Sequence, residues 1–385
     1  MPLPRPNTFA RLFKQWRRLH PYNAIQAMRL TSTRGAAAEA LAEAVRPLGV
    51  DVPPEPVDDL DAHLSAELNR PFGDGAPLRA FACGDWLGLT YDHHLADSVG
   101  VRLLMRRWAA GIAGLPLPAF AFTPSVKDPL PTVGAAREMW RSQRRMKRLR
   151  RLVPTADPSA AYLHRELPAG LCGGLRGACR AAGVKVNDVF VAAAARATIG
   201  HLIEPMARRP DVGVGTIVDD RGRLPEVTRD GFGLHLAFRN TFFEPDDLAS
   251  IAAATRVAHE QAEAARRPAA RRAAALSTRT GVLAGRLLSP ATLREFYRKR
   301  VPFVAGVSNV NLDAGPVGSL HPDPLLAYRR VSPLGPTMAV VFTPTTLGGE
   351  LTLGVTYRRA LLDAAAADEA AAGFVADLTG FAAGR

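Results

Sequence analysis

Apolar positions along the chain change their spacing several times, and each change marks an element. "NAIQAMRLT" (23–31) reads as a strand, and "AAAEALAEAVRPLG" (36–49) as a helix ending at Gly49. "PLRAFAC" and "WLGLTYDHH" read as two strands joined by a tight turn at Gly84 and Asp85. "SVGVRLLMRRWAAG" follows at helical spacing, with Val99, Leu103 and Trp108 among its apolar positions. Residues 114–136 are proline-rich and read as a crossover, and the basic helix "REMWRSQRRMKRLRRLVP" comes next. The pattern then predicts a strand at "AAYLHREL" and helices at "GLCGGLRGACRAAG" and "VNDVFVAAAARATIGHLIE". Later strands fall at "VGVGTIV", "GLHLAFRNTFF", "FVAGVSNV", "TMAVVFT" and "ELTLGVTYR". Two alanine-rich helices lie around 247–288 and a last one near 363–381. This mixed α/β order shows no internal repeat. A boundary near residue 155 gives an N-terminal domain, 1–155, and a C-terminal domain, 156–385, each of ordinary size.

Length and composition narrow the class. A chain of 385 residues with 47% hydrophobic residues is a folded protein, long enough for two cores. The three cysteines, Cys83, Cys172 and Cys179, form no CxxC or His/Cys cluster, which argues against a disulfide framework and structural zinc and for a reducing cytoplasm. The N-terminus lacks the apolar core of a secretory signal. The longest charge-free stretch, Trp108 to Val126, is broken by Pro116, Pro118 and Pro124, so it makes no clean membrane-spanning helix. A formal net charge of +13 favours anionic partners without choosing among them.

The candidate chemistry sits in "TYDHHLADSVG" (90–100), where a strand gives way to a helix. A neutral imidazole accepts a proton near neutral pH without strong tuning. In the register His93-x-x-x-Asp97, the aspartate can hold the turn that presents the histidine, especially if it meets an arginine. The plain alternative is a surface turn with solvated His93 and His94.

Three further segments bear on that choice: "VNDVFVAAAARA" (186–197), "IVDDRGRL" (217–224) and "VSNVNL" (307–312). With the histidine motif they resemble the thioester-dependent acyltransferase superfamily of chloramphenicol acetyltransferases, nonribosomal-peptide condensation domains, polyketide-associated and plant BAHD acyltransferases, and wax ester synthases. The resemblance runs from "HPYNAIQAMRL" (20–30) to "GELTLGVTYRRALLDAA" (349–365). It implies an α/β, two-domain chloramphenicol acetyltransferase-like fold, each domain a mixed sheet flanked by helices, with an active-site tunnel between them. Within the family's HHxxxDG pattern, His93 takes the place of the catalytic base and Asp97 that of the structural aspartate. Asp92 stands where the family has its first histidine, and Ser98 where it has glycine, a change that matters if the backbone there needs φ > 0. Arg221 matches the arginine that pairs with the motif aspartate; a solvated turn arginine is its alternative. Asn187 reads as a helix N-cap. Ser308 and Asn309 resemble part of a wax ester synthase "SNVPGP" stretch, with "NL" replacing "PG", and become candidate oxyanion donors or simply strand-end polar residues. His94 and Asp92 are the candidates for substrate contact.

The mechanism implied by this resemblance needs no metal and no tightly bound cofactor. The donor is an acyl thioester on coenzyme A or on a phosphopantetheine arm, and His93 takes the proton of a hydroxyl or amine acceptor. A free-standing condensation-type amide synthase fed by carrier proteins, and a noncatalytic relative that binds a carrier protein or lipid, remain open. No G-x-S-x-G elbow, Walker A motif or Rossmann glycine fingerprint is present.

Basic segments suggest partners. Residues 137–151 hold eight Lys/Arg against one acid, with Met139, Met146, Leu149 and Val153 on a helical stripe. The helix at 9–19 sets Phe9, Leu12, Phe13, Trp16 and Leu19 against Arg11, Lys14, Arg17 and Arg18, and "REFYRKR" (294–300) is a third patch. These faces either pack and solvate in the ordinary way or receive an acidic acyl carrier protein, coenzyme A phosphates, or an anionic membrane touched peripherally. No nucleic-acid-binding signature accompanies the charge.

Overall fold

The computed structural model describes residues 7–31, 37–73, 75–123, 129–201, 210–223, 231–313 and 325–384. Its elements, in chain order, begin with α1 (Thr8–Trp16), β1 (Asn23–Arg29), α2 (Ala37–Val45), β2 (Pro54–Pro56), α3 (Leu60–Glu67), β3 (Leu78–Cys83), β4 (Trp86–Asp92) and α4 (Ser98–Ile112). Next come α5 (Val133–Met146), β5 (Ala160–Glu166), α6 (Leu171–Ala182), α7 (Val186–Ile199), β6 (Val212–Asp219) and β7 (Leu236–Phe243). Then follow α8 (Ile251–Ala264), α9 (Pro268–Leu287), α10 (Pro290–Arg300), β8 (Ala305–Val307), β9 (Val310–Asn311), β10 (Ala327–Val331), β11 (Val340–Leu347), β12 (Glu350–Arg358) and α11 (Ala364–Ala382).

Two compact units result. Unit 1 comprises Met1–Lys127, Asp219–Leu236 and Asn311–Pro333; unit 2 comprises Asp128–Val218, Ala237–Val310 and Leu334–Arg385. The division is therefore not the single cut near 155 expected from the sequence. Strand pairing draws β10 back to β1, and a buried ion pair draws Arg221 back to Asp97, so two late segments belong with the N-terminal elements.

Unit 1 is built on a five-stranded sheet of order β10-β1-β4-β3-β2. The β3–β4 turn forms because Gly84 takes φ 54°, a region that costs other residues strain. Antiparallel register sets Gln26 opposite Leu89 on one side and Arg330 on the other. Tyr91 and Tyr328 lie two residues along from those partners and so share the Gln26 face. Helix α1 buries Leu12, Phe13 and Trp16 and leaves Arg11, Lys14 and Arg18 exposed, the ordinary amphipathic arrangement.

Unit 2 has a sheet of order β5-β12-β11-β8-β6-β7, with β9 joined to β11. Its core packs α7 and α11 on the sheet, with Phe342 stacked on Phe374 at 4.7 Å between centroids. Two local expectations are corrected here. Asn187 is not the N-cap of α7: the helix starts after Lys185, and Asp188 accepts the Lys185 N–H at 3.0 Å. The expected stripe to Val153 also breaks, because α5 ends at Met146 and Leu149 bridges to Asp211, leaving Val153 exposed. The proposed end of α7 beyond His201 lies outside the described residues.

Candidate active site

The loop between β4 and α4 is fixed at its far end by Asp97. Its side chain caps α4: Oδ1 accepts the N–H groups of Val99 and Gly100, each at 3.0 Å. Oδ2 accepts from Arg221 Nη1 at 2.5 Å and from the His235 N–H at 2.8 Å. Arg221 donates further to the carbonyls of Gly233 at 3.1 Å and Gly231 at 3.3 Å, while the Asp97 N–H donates to Gly233 O at 3.1 Å. Both side chains of the ion pair are buried. Burial alone would raise the Asp97 pKa; the Arg221 charge and the donated hydrogen bonds outweigh it and hold the carboxyl below its usual range. The sequence pairing of Asp97 with Arg221 is thus present as a bonded unit.

This frame presents His93. Its N–H donates to Tyr22 O at 3.0 Å, and its Nδ1 lies 3.0 Å from Ala96 O. A carbonyl oxygen only accepts, so Nδ1 carries the proton and the neutral ring keeps its lone pair on Nε2. Among the described residues Nε2 has no hydrogen-bond partner. The ring stacks on Tyr22 at 5.6 Å, tilts against Phe13 at 4.9 Å and meets Tyr91 edge-on at 5.8 Å. Burial pushes the His93 pKa down, outweighing the pull of the Ala96 carbonyl and of Asp97. The lowered pKa favours the neutral ring, with one basic nitrogen.

Asp92, expected as a substrate contact, is instead buried and committed. Its Oδ1 lies 2.8 Å from His94 Nδ1 and its Oδ2 3.0 Å from Arg17 Nη1. Burial disfavours its charge, but His94 and then Arg17 reverse the effect and leave its pKa lowered. Asp92 therefore positions His94, which is half-buried beside the candidate base. Ser98, where the resembled pattern has glycine, is the first residue of α4, and no described non-glycine residue takes positive φ, so serine is accommodated there without strain. Ser308 and Asn309 lie in unit 2 between β8 and β9, both half-buried, and the Ser308 N–H donates to Phe342 O at 2.9 Å.

Several contributors escaped the sequence reading. His235 reaches Asp97 through its backbone, and its Nε2 lies 2.5 Å from Thr123 Oγ1. Gly233 is required by this closeness, because a Cβ there would come within 2.1 Å of Thr123 Oγ1. The only signal was the "GFG" before the strand, which marks a close backbone approach without naming its partner. Tyr22 and Phe13 lie against His93, and no motif marks either as part of the site.

Comparison with known proteins gives a fold and no close relative. No family model matches the sequence, and no curated protein matches it. Solved structures do. Trichothecene 15-O-acetyltransferase TRI3 from Fusarium sporotrichioides aligns with a TM-score of 0.70 at 12% identity, covering 97% of this chain and 94% of that one. The first condensation domain of the CDA synthetase aligns with a TM-score of 0.62 at 16% identity, over 99% of this chain and 96% of that one. The epimerization domain of the third module of tyrocidine synthetase B aligns at 0.60 and 12% identity, over 100% and 99%. The chain has the two-unit α/β fold that these condensation-type domains and this acetyltransferase share, as the sequence motifs led one to expect. No helix among the described residues is long and apolar enough to cross a membrane.

Proposed function

We propose that this protein transfers an acyl group from a thioester to a hydroxyl or amine, with His93 as general base. The observation that carries the proposal is the placing of that imidazole: its ring held against Tyr22 and Phe13, its Nδ1 tied to Ala96 O, and its loop locked by Asp97 and Arg221. Likeness of fold to an acetyltransferase and to condensation domains supports the same reading.

In the proposed reaction His93 Nε2 takes the acceptor proton as the acceptor oxygen or nitrogen attacks the thioester carbonyl. The carbon–sulfur bond then breaks, and the proton passes to the departing thiolate. Asp97 and Arg221 position the loop and touch no substrate. Ser308 and Asn309 are proposed as donors to the oxyanion, an assignment resting on their sequence segment. General-base catalysis of this kind contributes about 10²–10⁴ in rate. The donor arm is coenzyme A or carrier-protein phosphopantetheine. The exposed Arg137, Arg141 and Arg144 of α5 offer an acidic carrier protein, or an anionic membrane, a complementary face. Incubation with acyl-coenzyme A and acyl-pantetheine donors, read by mass spectrometry for acyl transfer to a panel of amines and alcohols, tests the activity; absence of any product would count against it.

A second reading is a binding module without catalysis. The X-domain from teicoplanin biosynthesis, known in complex with OxyB, aligns with a TM-score of 0.54 at 16% identity, over 100% of this chain and 94% of that one. The Asp92 departure from the resembled pattern favours the same reading. It predicts stable partner capture with no turnover.

A further inference from the structure

Burial of an arginine calls for a partner, because an uncompensated charge in the interior costs several kcal/mol. The buried arginines of this chain mostly obey. Arg107 donates to Ala44 O at 3.1 Å, Glu43 O at 3.3 Å and the Pro118 carbonyl. Arg358 donates to Pro158 O at 2.9 Å and to the Met338 and Gly335 carbonyls, both at 3.3 Å. Arg221 has Asp97. Arg102, on α4 and only 7% exposed, is different: among the described residues its guanidinium makes no hydrogen bond or ion pair.

Several of the groups near it are donors. Arg102 stands one helical turn beyond Ser98, and helical side chains lean toward the N-terminal turn. There Gln26 Nε2 donates to Ser98 O at 3.2 Å and to the Tyr91 hydroxyl at 3.1 Å, and the Tyr328 hydroxyl donates to Gln26 Oε1. Gln26 is thus satisfied, while the proton of Tyr91 and the buried Ser98 Oγ have no partner among the described residues. Arg330, 6% exposed, lies opposite Gln26 on the same sheet face. Among the described residues the nearby acids are Asp97, already engaged by Arg221, and Asp219, whose side chain is 49% exposed and faces Arg221. Burial lowers the Arg102 pKa, against weaker upward pulls from Tyr328, Asp97 and Asp219. Tyr91 also links this cluster to the candidate base, since its ring meets His93 at 5.8 Å while its hydroxyl belongs to the cluster.

We infer that Arg102, with the Tyr91 hydroxyl beside it, is a subsite for a carboxylate, and that one substrate of the reaction proposed above carries that group. A planar guanidinium matches a carboxylate in two parallel hydrogen bonds, and one arginine without a partner among the described residues suits a monoanion better than a phosphate dianion. The substrate-class part of this inference rests on the acyl-transfer reading; the binding part does not.

Thermal unfolding of the full chain at constant ionic strength tests the binding part, with propionate against its neutral isostere propionamide, and with inorganic phosphate. A saturable rise in Tm is expected with propionate only, absent in Arg102→Met, partly retained in Arg102→Lys and intact in His93→Ala. Equal propionate responses in wild type and Arg102→Met, no response in wild type, or an Arg102-dependent response to phosphate alone would each overturn the subsite. Two substrate pairs, glycine against glycinamide as acceptors and succinyl against butyryl thioesters as donors, then locate the carboxylate. Arg102→Met is expected to lose at least about tenfold of the preference for the acid in one pair. No change in either pair, in an active enzyme, overturns the substrate assignment. An inactive protein that still binds propionate through Arg102 instead overturns the acyl-transfer reading.

Discussion

Arg221 Nη1 lies 2.5 Å from Asp97 Oδ2, and each side chain is 1% exposed. Removing one member leaves the other as an unpaired buried charge. Arg221→Met and Asp97→Asn should each therefore cost about 3–5 kcal/mol of stability in urea unfolding. The Asp97 pKa is lowered on folding, so its stabilising contribution is complete above the ordinary carboxylate value of about 3.9 and fades as pH falls through the lower folded value. Arg221→Met should flatten that acid limb. A variant that unfolds at the wild-type urea concentration would mean that the pair does not hold the loop.

The ring of His93 has its own pH signature. Burial lowers its pKa, so the basic form persists to lower pH than for a free imidazole. The acid limb of kcat/KM should have its midpoint below about 6.5. Tyr22→Ala admits water beside the ring and should move that midpoint upward. A midpoint at or above 6.5 in wild type would contradict the enclosure described for His93.

Gly100 and Gly233 meet where α4 approaches the 231–235 segment. A Cβ at Gly100 would come within 3.1 Å of the Gly233 N and O, and one at Gly233 would collide with Thr123 Oγ1. Overpacking of this kind costs about 1–3 kcal/mol. Gly233→Ala should fall at the upper end and also slow turnover, because the same segment supplies four hydrogen bonds to the Asp97–Arg221 unit. Calorimetric Tm alongside kcat/KM separates the two effects.

Asp92 and His94 form a separate pair with a separate expectation. Asp92→Ala removes the carboxylate that faces both Arg17 and His94, so it should destabilise more than His94→Ala. Neither should approach the rate loss of His93→Ala. Equal rate losses for His94→Ala and His93→Ala would shift the chemistry to His94.

Much of this was legible in the sequence, where local patterns decide local structure. The β3–β4 hairpin follows from apolar runs flanking Gly84, and α4 from its apolar spacing after Asp97. The Asp97–Arg221 pair was legible through motif resemblance alone, since 124 positions separate the two residues. What the sequence hid was decided by tertiary partners. β10 is strand because it pairs with β1, not because "AYRRV" looks like one. The basic helix ends at Met146 because the chain there turns to bridge Asp211, although the apolar spacing continues. Asp92 resembled a site residue by position, yet it is buried between Arg17 and His94, at 3.0 and 2.8 Å. Nothing local in the sequence marks Arg102 as an arginine that the fold buries.

The most direct measurement is the turnover of an acyl thioester by wild type and His93→Ala under identical, saturating conditions, with folding of the variant verified by its unfolding curve. Loss of at least about 10²-fold in a folded variant is the expected result. Unchanged turnover would remove His93 from the chemistry and with it the proposed mechanism.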